Sequence, residues 1–214
     1  MNIEHRNPKS RGAVPAVLAA MVLAVPLCAL AQQGQNQPRA VRTTDHAIQV
    51  YISEDALQAQ YIRDLDVDEL GTTEVKLGVF YNEDRDLLAI GDLLLPVGEV
   101  RDQPHRLEFR VGSRVYGAFL ANENEDVFGV SVGGEARYFI GQRRSTAVVL
   151  SAFYAPDILT FGAADNVADV SLRLETRLND GTNIFVGYRA LEIDVVPVDR
   201  ELDDNLHIGF RRSF

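Results

Sequence analysis

Polar and apolar residues alternate from Thr72 to the end of the chain, in segments of about ten residues separated by clusters of turn-forming residues. Successive side chains of a strand point to opposite faces, so each segment predicts a strand with one apolar and one polar face. In 168–178, for example, Leu172 and Leu174 share one face, and Arg173 and Glu175 share the other. Eight such segments predict an all-β, antiparallel fold.

Two of the eight segments have no clear phase. Segment 86–97 is more apolar than the others, and segment 145–155 is apolar on both faces. The alternation therefore does not assign their side chains to one face or the other.

The final segment, 205–214, alternates strictly in polarity before it ends on the aromatic Phe214. This ending resembles the signal by which bacterial membrane barrels are passed to their assembly machinery, and His207, Gly209 and Phe214 fit that pattern. Arg212 departs from it, because an apolar residue is expected at that position. A strand of a soluble β-sandwich is the alternative interpretation of this segment.

The N-terminal residues 1–31 have the pattern of a cleaved secretory signal peptide. Three basic residues precede an apolar stretch that ends in Ala29-Leu30-Ala31, a suitable cleavage site. Pro15 and Pro26 interrupt the stretch, which disfavours a retained transmembrane helix. Cys28 would suit a lipoprotein, but Leu27 stands where a small residue is usual.

The predicted export and the net negative charge of the mature chain limit the partners that can be expected. Loss of residues 1–31 leaves 18 basic and 30 acidic residues, a formal charge of −12, and no cysteine. Nucleic-acid binding needs clustered Lys and Arg, so nucleic acid is not expected as a partner. Residues 32–45 are rich in Gln, Asn and Arg without periodicity, which predicts a flexible periplasmic lead-in.

Three features together predict a transmembrane β-barrel at 46–214, in the outer membrane of a Gram-negative envelope. They are the signal peptide, the alternating segments and the final strand that ends on an aromatic residue. Such barrels have an even strand count because both termini lie in the periplasm, and eight strands satisfy this rule. Residues 46–63 could add one more hairpin and raise the count to ten. The turns 141–144 and 179–181 would then be periplasmic, and the connections 82–86, 121–126, 156–165 and 197–204 would lie outside.

Charged residues of both signs occupy the polar faces, which would line the lumen of such a barrel. Because a narrow barrel is filled by its own side chains, these residues are expected to form ion pairs that brace the lumen, and a narrow solute path is the alternative. The predicted lumen residues are Glu74, Lys76, Asp92, Arg106, Glu108, Arg110, Arg114, Glu135, Arg137, Arg173, Glu175, Arg177 and Arg189.

Catalysis is the competing function, since some small outer-membrane barrels hydrolyse lipids through His with Ser or a carboxylate. The chain after the leader carries His46, His105 and His207. Residue 209 is Gly, so the His-x-Ser pairing of lipid A deacylase barrels is absent at His207. A structural role is expected for each histidine, with no enzymatic activity and no cofactor.

Two acidic segments, 122–126 and 199–204, suggest a further partner. Clustered carboxylates favour hard cations such as Ca²⁺ and Mg²⁺, but neither segment has the spacing of an EF-hand loop. Solvated loop acids are the main expectation, and weak cation bridging to lipopolysaccharide is the alternative.

Several short motifs resemble the YfaZ family of small outer-membrane proteins. They are Phe153-Tyr154-Ala155-Pro156-Asp157, Gly162, Gly187-Tyr188-Arg189 with Leu191, Pro96-Val97-Gly98 and Val132-Gly133-Gly134. The resemblance implies an outer-membrane barrel without an established chemical activity. We therefore expect a structural or narrow-pore (porin-like) protein whose partners are outer-membrane lipid, lipopolysaccharide and the barrel assembly machinery. The sequence specifies no oligomeric state.

Overall fold

The computed structural model describes residues 46–67, 71–99, 106–120, 125–141, 143–162, 164–195 and 198–214. The predicted signal peptide, the predicted lead-in and His105 lie outside these residues. Within the described part, no helix is long and apolar enough to cross a membrane.

The described chain is almost entirely strand, with one short 3₁₀ turn at Asp157–Leu159. In chain order the strands are β1 (His46–Ser53), β2 (Ala56–Val67), β3 (Gly71–Asn82), β4 (Leu87–Glu99), β5 (Leu107–Leu120), β6 (Glu125–Ile140), β7 (Thr146–Ala155), β8 (Thr160–Gly162), β9 (Ala164–Asn179), β10 (Thr182–Val195) and β11 (Val198–Ser213).

Ten of these strands form a closed antiparallel barrel, and β8 is an additional short strand. Each strand pairs with the next along the chain, except that β7 pairs with β9. The barrel closes where β1 pairs with β11, from Ala47 opposite Ser213 to Ser53 opposite His207. Closure leaves no long sheet edge unpaired.

The prediction of eight strands is wrong, and the alternative count of ten is correct. The additional pair is β1 and β2, which form the hairpin considered at 46–63. Their contrast in polarity is weak because the inward positions of β2 include Gln58 and Gln60, while Ala59 lies between them on the outward face. Buried glutamines and an outward alanine obscure the alternation by which a strand is recognised.

A break at Pro156 separates β7 from β8. Proline has no backbone N–H and cannot continue the ladder as a donor. After the 3₁₀ turn the chain pairs with β6 again, with Phe161 opposite Phe128. β8 thus takes the place beside β6 that β7 has left, and the wall stays closed there.

The structure agrees with the predicted turns 141–144 and 179–181 and with the predicted connection 82–86. The short strand β8 lies within the predicted connection 156–165, and residues 121–124 of the connection 121–126 lie outside the described residues. The chain turns at Asp180–Gly181, where Gly181 has a φ of +88°, and again after β6 at Gly141, where φ is +75°. The predicted connection 197–204 is wrong, because β11 begins at Val198 and pairs with β10 from there. Leu191 lies opposite Asp203 and Glu192 opposite Glu201, so Leu202 is the extra residue of a β-bulge. The bulge interrupts the alternation, which explains why this acidic segment resembled a loop.

The interior differs between the two ends of the barrel. We call the end that carries His46 and Phe214 the terminal end, and the opposite end the far end. On β3, the charged residues Glu74 and Lys76 lie nearer the terminal end, and Phe80 lies nearer the far end. An apolar core fills the lumen mainly toward the far end; it comprises Tyr51, Ala56, Phe80, Leu88, Ile90, Tyr116, Ala118, Val127, Ala155, Ala164, Val167, Phe185, Leu191, Ile193 and Leu202.

The outward face of the barrel is apolar around most of its circumference. Strand alternation places most of the charged residues of β3, β5, β6, β9 and β10 inside and leaves large aliphatic side chains outside. Leu77, Leu172 and Ile208 are all more than half exposed. Soluble monomers rarely expose contiguous apolar patches beyond a few hundred Å².

Candidate functional site

A ring of ion pairs crosses the middle of the lumen, and Asp169 on β9 is its centre. Asp169 accepts hydrogen bonds from Arg189 Nε at 3.0 Å, from Arg114 Nη1 at 2.5 Å and from the Tyr116 hydroxyl at 2.9 Å. Arg114 also forms a two-pronged contact with Asp92, at 2.7 and 2.9 Å. We call Asp92, Arg114, Tyr116, Asp169 and Arg189 the middle ring. Its two arginines and two aspartates are balanced in charge.

The middle ring is packed against aromatic side chains as well as carboxylates. The guanidinium carbon of Arg114 lies 4.0 Å from the centre of the Phe153 ring, within cation–π range. Arg189 donates to Gln58 Oε1 at 2.6 Å. With all five members of the ring buried, these contacts compensate for the loss of hydration.

A second group of charges lies nearer the terminal end. Glu74 Oε2 lies 2.8 Å from Arg110 Nη1 and accepts a hydrogen bond from Arg211 Nη2 at 3.2 Å, while Lys76 Nζ lies 2.9 Å from Glu74 Oε1. One carboxylate thus lies among three cations. Lys76 also reaches Glu135, 3.5 Å away, and so links this part to the charges on β6.

The other part of this group lies on β6 and β9. Arg173 Nε lies 2.7 Å from Glu175 Oε1, and Arg137 Nη2 donates to Glu135 Oε1 at 3.3 Å. Two longer contacts complete the group: Arg137 Nη2 lies 3.5 Å from Glu175 Oε2, and Arg173 Nη2 lies 3.6 Å from Glu135 Oε2. We call all eight residues the terminal network: Glu74, Lys76, Arg110, Glu135, Arg137, Arg173, Glu175 and Arg211.

The structure brings together most, but not all, of the residues predicted to line the lumen. Ten of them belong to the middle ring or the terminal network. Arg106 and Arg177 are exposed at the terminal rim, and Glu108 pairs there with Arg144. The sequence-based site omitted Asp169 and Arg211, although both lie on the polar face of their strands.

A polar cavity of about 40 Å³ lies among these groups. Its lining includes Gln49, Gln60, Arg173, Arg189 and His207. A volume of this size holds a few water molecules at most. The residues of the apolar core are 0–7% exposed, so they leave little room for solvent toward the far end.

The two described histidines lie in different surroundings. His46, at the terminal rim, bonds to the Tyr61 hydroxyl through Nδ1 and stacks on Phe214. His207 is buried beside Tyr51, and its Nδ1 has no hydrogen-bond partner among the described residues. Neither histidine is joined through Nδ1 to a serine or a carboxylate. Within the described chain, no group of three or more His, Cys, Asp or Glu side chains is arranged to hold a metal ion.

Of the predicted assembly residues, His207 and Gly209 lie on β11, the closing strand, and Phe214 follows directly after it. Gly209 faces inward, where an added Cβ would lie 2.3 Å from both Phe185 Cζ and the Val50 carbonyl oxygen. Phe214 donates from its backbone N to His46 O at 2.8 Å, which fastens the end of the chain to the start of β1. Gly209 therefore has a packing reason independent of any assembly signal.

These features define a class: a closed ten-strand antiparallel barrel with a charged lumen and an apolar exterior. The chain belongs to the YfaZ family, whose model, described as YfaZ precursor, matches residues 72–214. This is the family that the sequence motifs indicated.

Other comparisons give more distant similarity. No curated protein matches the sequence. A bacterial polysaccharide outer membrane secretin shares 14% identity over 74% of this chain and 56% of its own, with a TM-score of 0.45. The outer membrane channel DcaP of Acinetobacter baumannii shares 12% identity over 82% of this chain and 60% of its own, with a TM-score of 0.41. The chain thus spans less than two thirds of either structure.

Replacing Asp169 with Asn should destabilise the barrel strongly. The change leaves Arg114 and Arg189 buried with less opposite charge, and breaking a buried ion pair in this way costs about 3–5 kcal/mol. Urea unfolding of the refolded protein in detergent measures the loss. Asp165→Asn is the matched control, because Asp165 lies exposed on the same strand. Equal stability of the two variants would contradict the bracing role.

Proposed function

We propose that this protein is an integral β-barrel of the bacterial outer membrane with a structural role and a closed lumen. The observation that carries the proposal is the inverted distribution of polarity, with charges inside and large apolar side chains outside. Water would penalise that exterior, whereas hydrocarbon would not. The barrel also pairs its backbone groups without a long open edge, as lipid requires.

The positions of outward-facing aromatic side chains support the proposal that a membrane surrounds the barrel, because they mark the two borders of an apolar band. Phe109 and Phe119 lie outward near opposite ends of β5, and Phe128 and Tyr138 do the same on β6. Ten residues at about 3.3 Å each, tilted by about 40°, span about 25 Å along the barrel axis. That height matches the apolar band of outer-membrane barrels, which aromatic girdles flank.

The proposed orientation places the terminal end in the periplasm. An even number of strands puts His46 and Phe214 at the same end of the barrel, as expected for bacterial outer-membrane proteins. The far end then faces outward with exposed acids that include Glu54, Glu83 and Asp84. Lipopolysaccharide would surround that end, and cation bridging to it remains a prediction.

The packed interior favours a structural role over a pore. Phe80, Leu88 and Tyr116 are completely buried in the apolar core, and the middle ring spans the lumen beside them. The polar terminal half of the lumen favours a narrow pore as the second candidate, but conduction would require the ring and the apolar core to move. We propose no catalytic role, because neither described histidine is joined through Nδ1 to a serine or a carboxylate.

Planar-bilayer recording tests the choice between these two roles. The refolded protein should show no channel steps over a wide voltage range, because its lumen is filled. Stable steps that change when Arg110 or Arg114 is substituted would instead establish the narrow pore.

Replacing Leu172 with Arg tests the membrane assignment itself. Leu172 faces outward near the middle of β9, so the charge should cost about 2–4 kcal/mol of folding free energy in lipid. Leu178→Arg, on the same face near the terminal end, should cost only about 0–1 kcal/mol. Refolding in lipid vesicles measures both. Equal small effects would contradict a bilayer at this face.

Deleting Phe214 should separate assembly from stability. The deletion removes at most about 1.5–3 kcal/mol of apolar contact, so folding in detergent should persist. Insertion into the outer membrane should fall much further if the aromatic terminus is recognised by the assembly machinery. Fractionation of cells measures insertion, and a wild-type level of the variant in the outer membrane would contradict the signal.

A further inference from the structure

We propose that the terminal network is a binding site for a small phosphate dianion that enters from the terminal end. The site goes beyond the structural role proposed above, since it assigns a ligand to one half of the lumen. Three observations support it: an excess of positive charge, guanidinium groups with more donors than nearby acceptor oxygens, and access from one end only.

The charge excess is confined to the terminal network. Five cations (Lys76, Arg110, Arg137, Arg173 and Arg211) face three carboxylates (Glu74, Glu135 and Glu175), which leaves two positive charges over. The middle ring is balanced. One dianion would neutralise the remainder, which is costly to leave uncompensated in a partly buried position.

The arginines have donors to spare in this network. Arg137 Nε is buried without a hydrogen-bond partner among the described residues, and Arg173 Nη2 has only a contact of 3.6 Å with Glu135 Oε2. Arg110 and Arg211 also share a single oxygen, Glu74 Oε2, although each guanidinium carries five N–H bonds. Buried donors in native proteins almost always have acceptors, so an ion or water is expected to satisfy these.

The geometry favours phosphate over a monovalent anion. Arginine forks match the spacing of phosphate oxygens, and phosphate presents several acceptor oxygens at once. A dianion also matches the excess of two charges. Arg110, Arg137 and Arg211 keep 23%, 16% and 15% of their side chains exposed, so the network is accessible from the terminal end. Because the middle ring and apolar core lie beyond it, a ligand would bind and leave without passing through.

Titration of the refolded mature protein with inorganic phosphate tests the site. Calorimetry in detergent, with chloride keeping the ionic strength constant, should show one saturable site. The thermal unfolding midpoint should rise with phosphate, because a ligand of the folded state stabilises it. Arg110→Gln and Arg211→Gln should each weaken binding about tenfold, as expected for a lost charge-assisted hydrogen bond.

Arg212→Gln provides the matched control. Arg212 is the chain neighbour of Arg211 and carries the same charge at the same end, but it faces outward and bonds to Asn179 and Thr182. Its substitution should leave phosphate affinity unchanged. If Arg110→Gln fails to fold, as judged by circular dichroism, the comparison of Arg211→Gln with Arg212→Gln decides the question.

A second arm separates the two sources of the phosphate group. Water-soluble dihexanoyl phosphatidic acid, below its micellar concentration, should bind more tightly than inorganic phosphate if the ligand is a lipid headgroup, and no more tightly if it is a free ion. Absence of saturable binding by either probe would overturn the proposal, as would equal losses in Arg211→Gln and Arg212→Gln. The measurement needs no bilayer, so its failure would leave the membrane assignment standing.

Discussion

The contact between Arg114 and Asp169 is the interaction on which the lumen depends. It joins the side chains of β5 and β9, which are not neighbours in the sheet, whereas the backbone hydrogen bonds of the wall join neighbouring strands. Because Arg114 also holds Asp92 and Asp169 also holds Arg189, four strands share one connected set of charges. A cross-lumen brace of this kind ties strands on different sides of the barrel together, and it supports the proposed structural role over a pore.

The same arrangement divides the barrel into two functional parts. Toward the far end, the lumen holds the buried apolar core and the charge-balanced middle ring. Toward the terminal end, the network around Glu74 and Glu135 keeps an excess of positive charge and partial access to solvent. The exterior is compatible with hydrocarbon and not with water, because aliphatic side chains form a band between two girdles of aromatic residues. The proposed closed lumen, anion site and membrane-facing exterior would thus use separate surfaces of one sheet.

Sequence patterns predicted which face a residue occupies more reliably than which residues meet. Alternation assigned Leu172 and Arg173 to opposite faces correctly, and likewise the residues of β3, β5, β6, β10 and β11. It could not place Arg114 opposite Asp169, because their meeting depends on the strand number and stagger of the closed barrel. It indicated β1 and β2 only as an alternative hairpin, because glutamines face inward there, and it missed the start of β11, where the bulge at Leu202 breaks the period.

Accessibility of spin labels tests the central claim, an inverted barrel in lipid, most directly. Labels at Leu172, Leu174 and Ile208 in membrane-embedded protein should collide often with oxygen and rarely with a water-soluble nickel chelate. A label at Ser171, adjacent to Leu172 but inward, should be protected from both reagents. High nickel accessibility at the three outward positions would contradict the account, because it would place the apolar exterior in water.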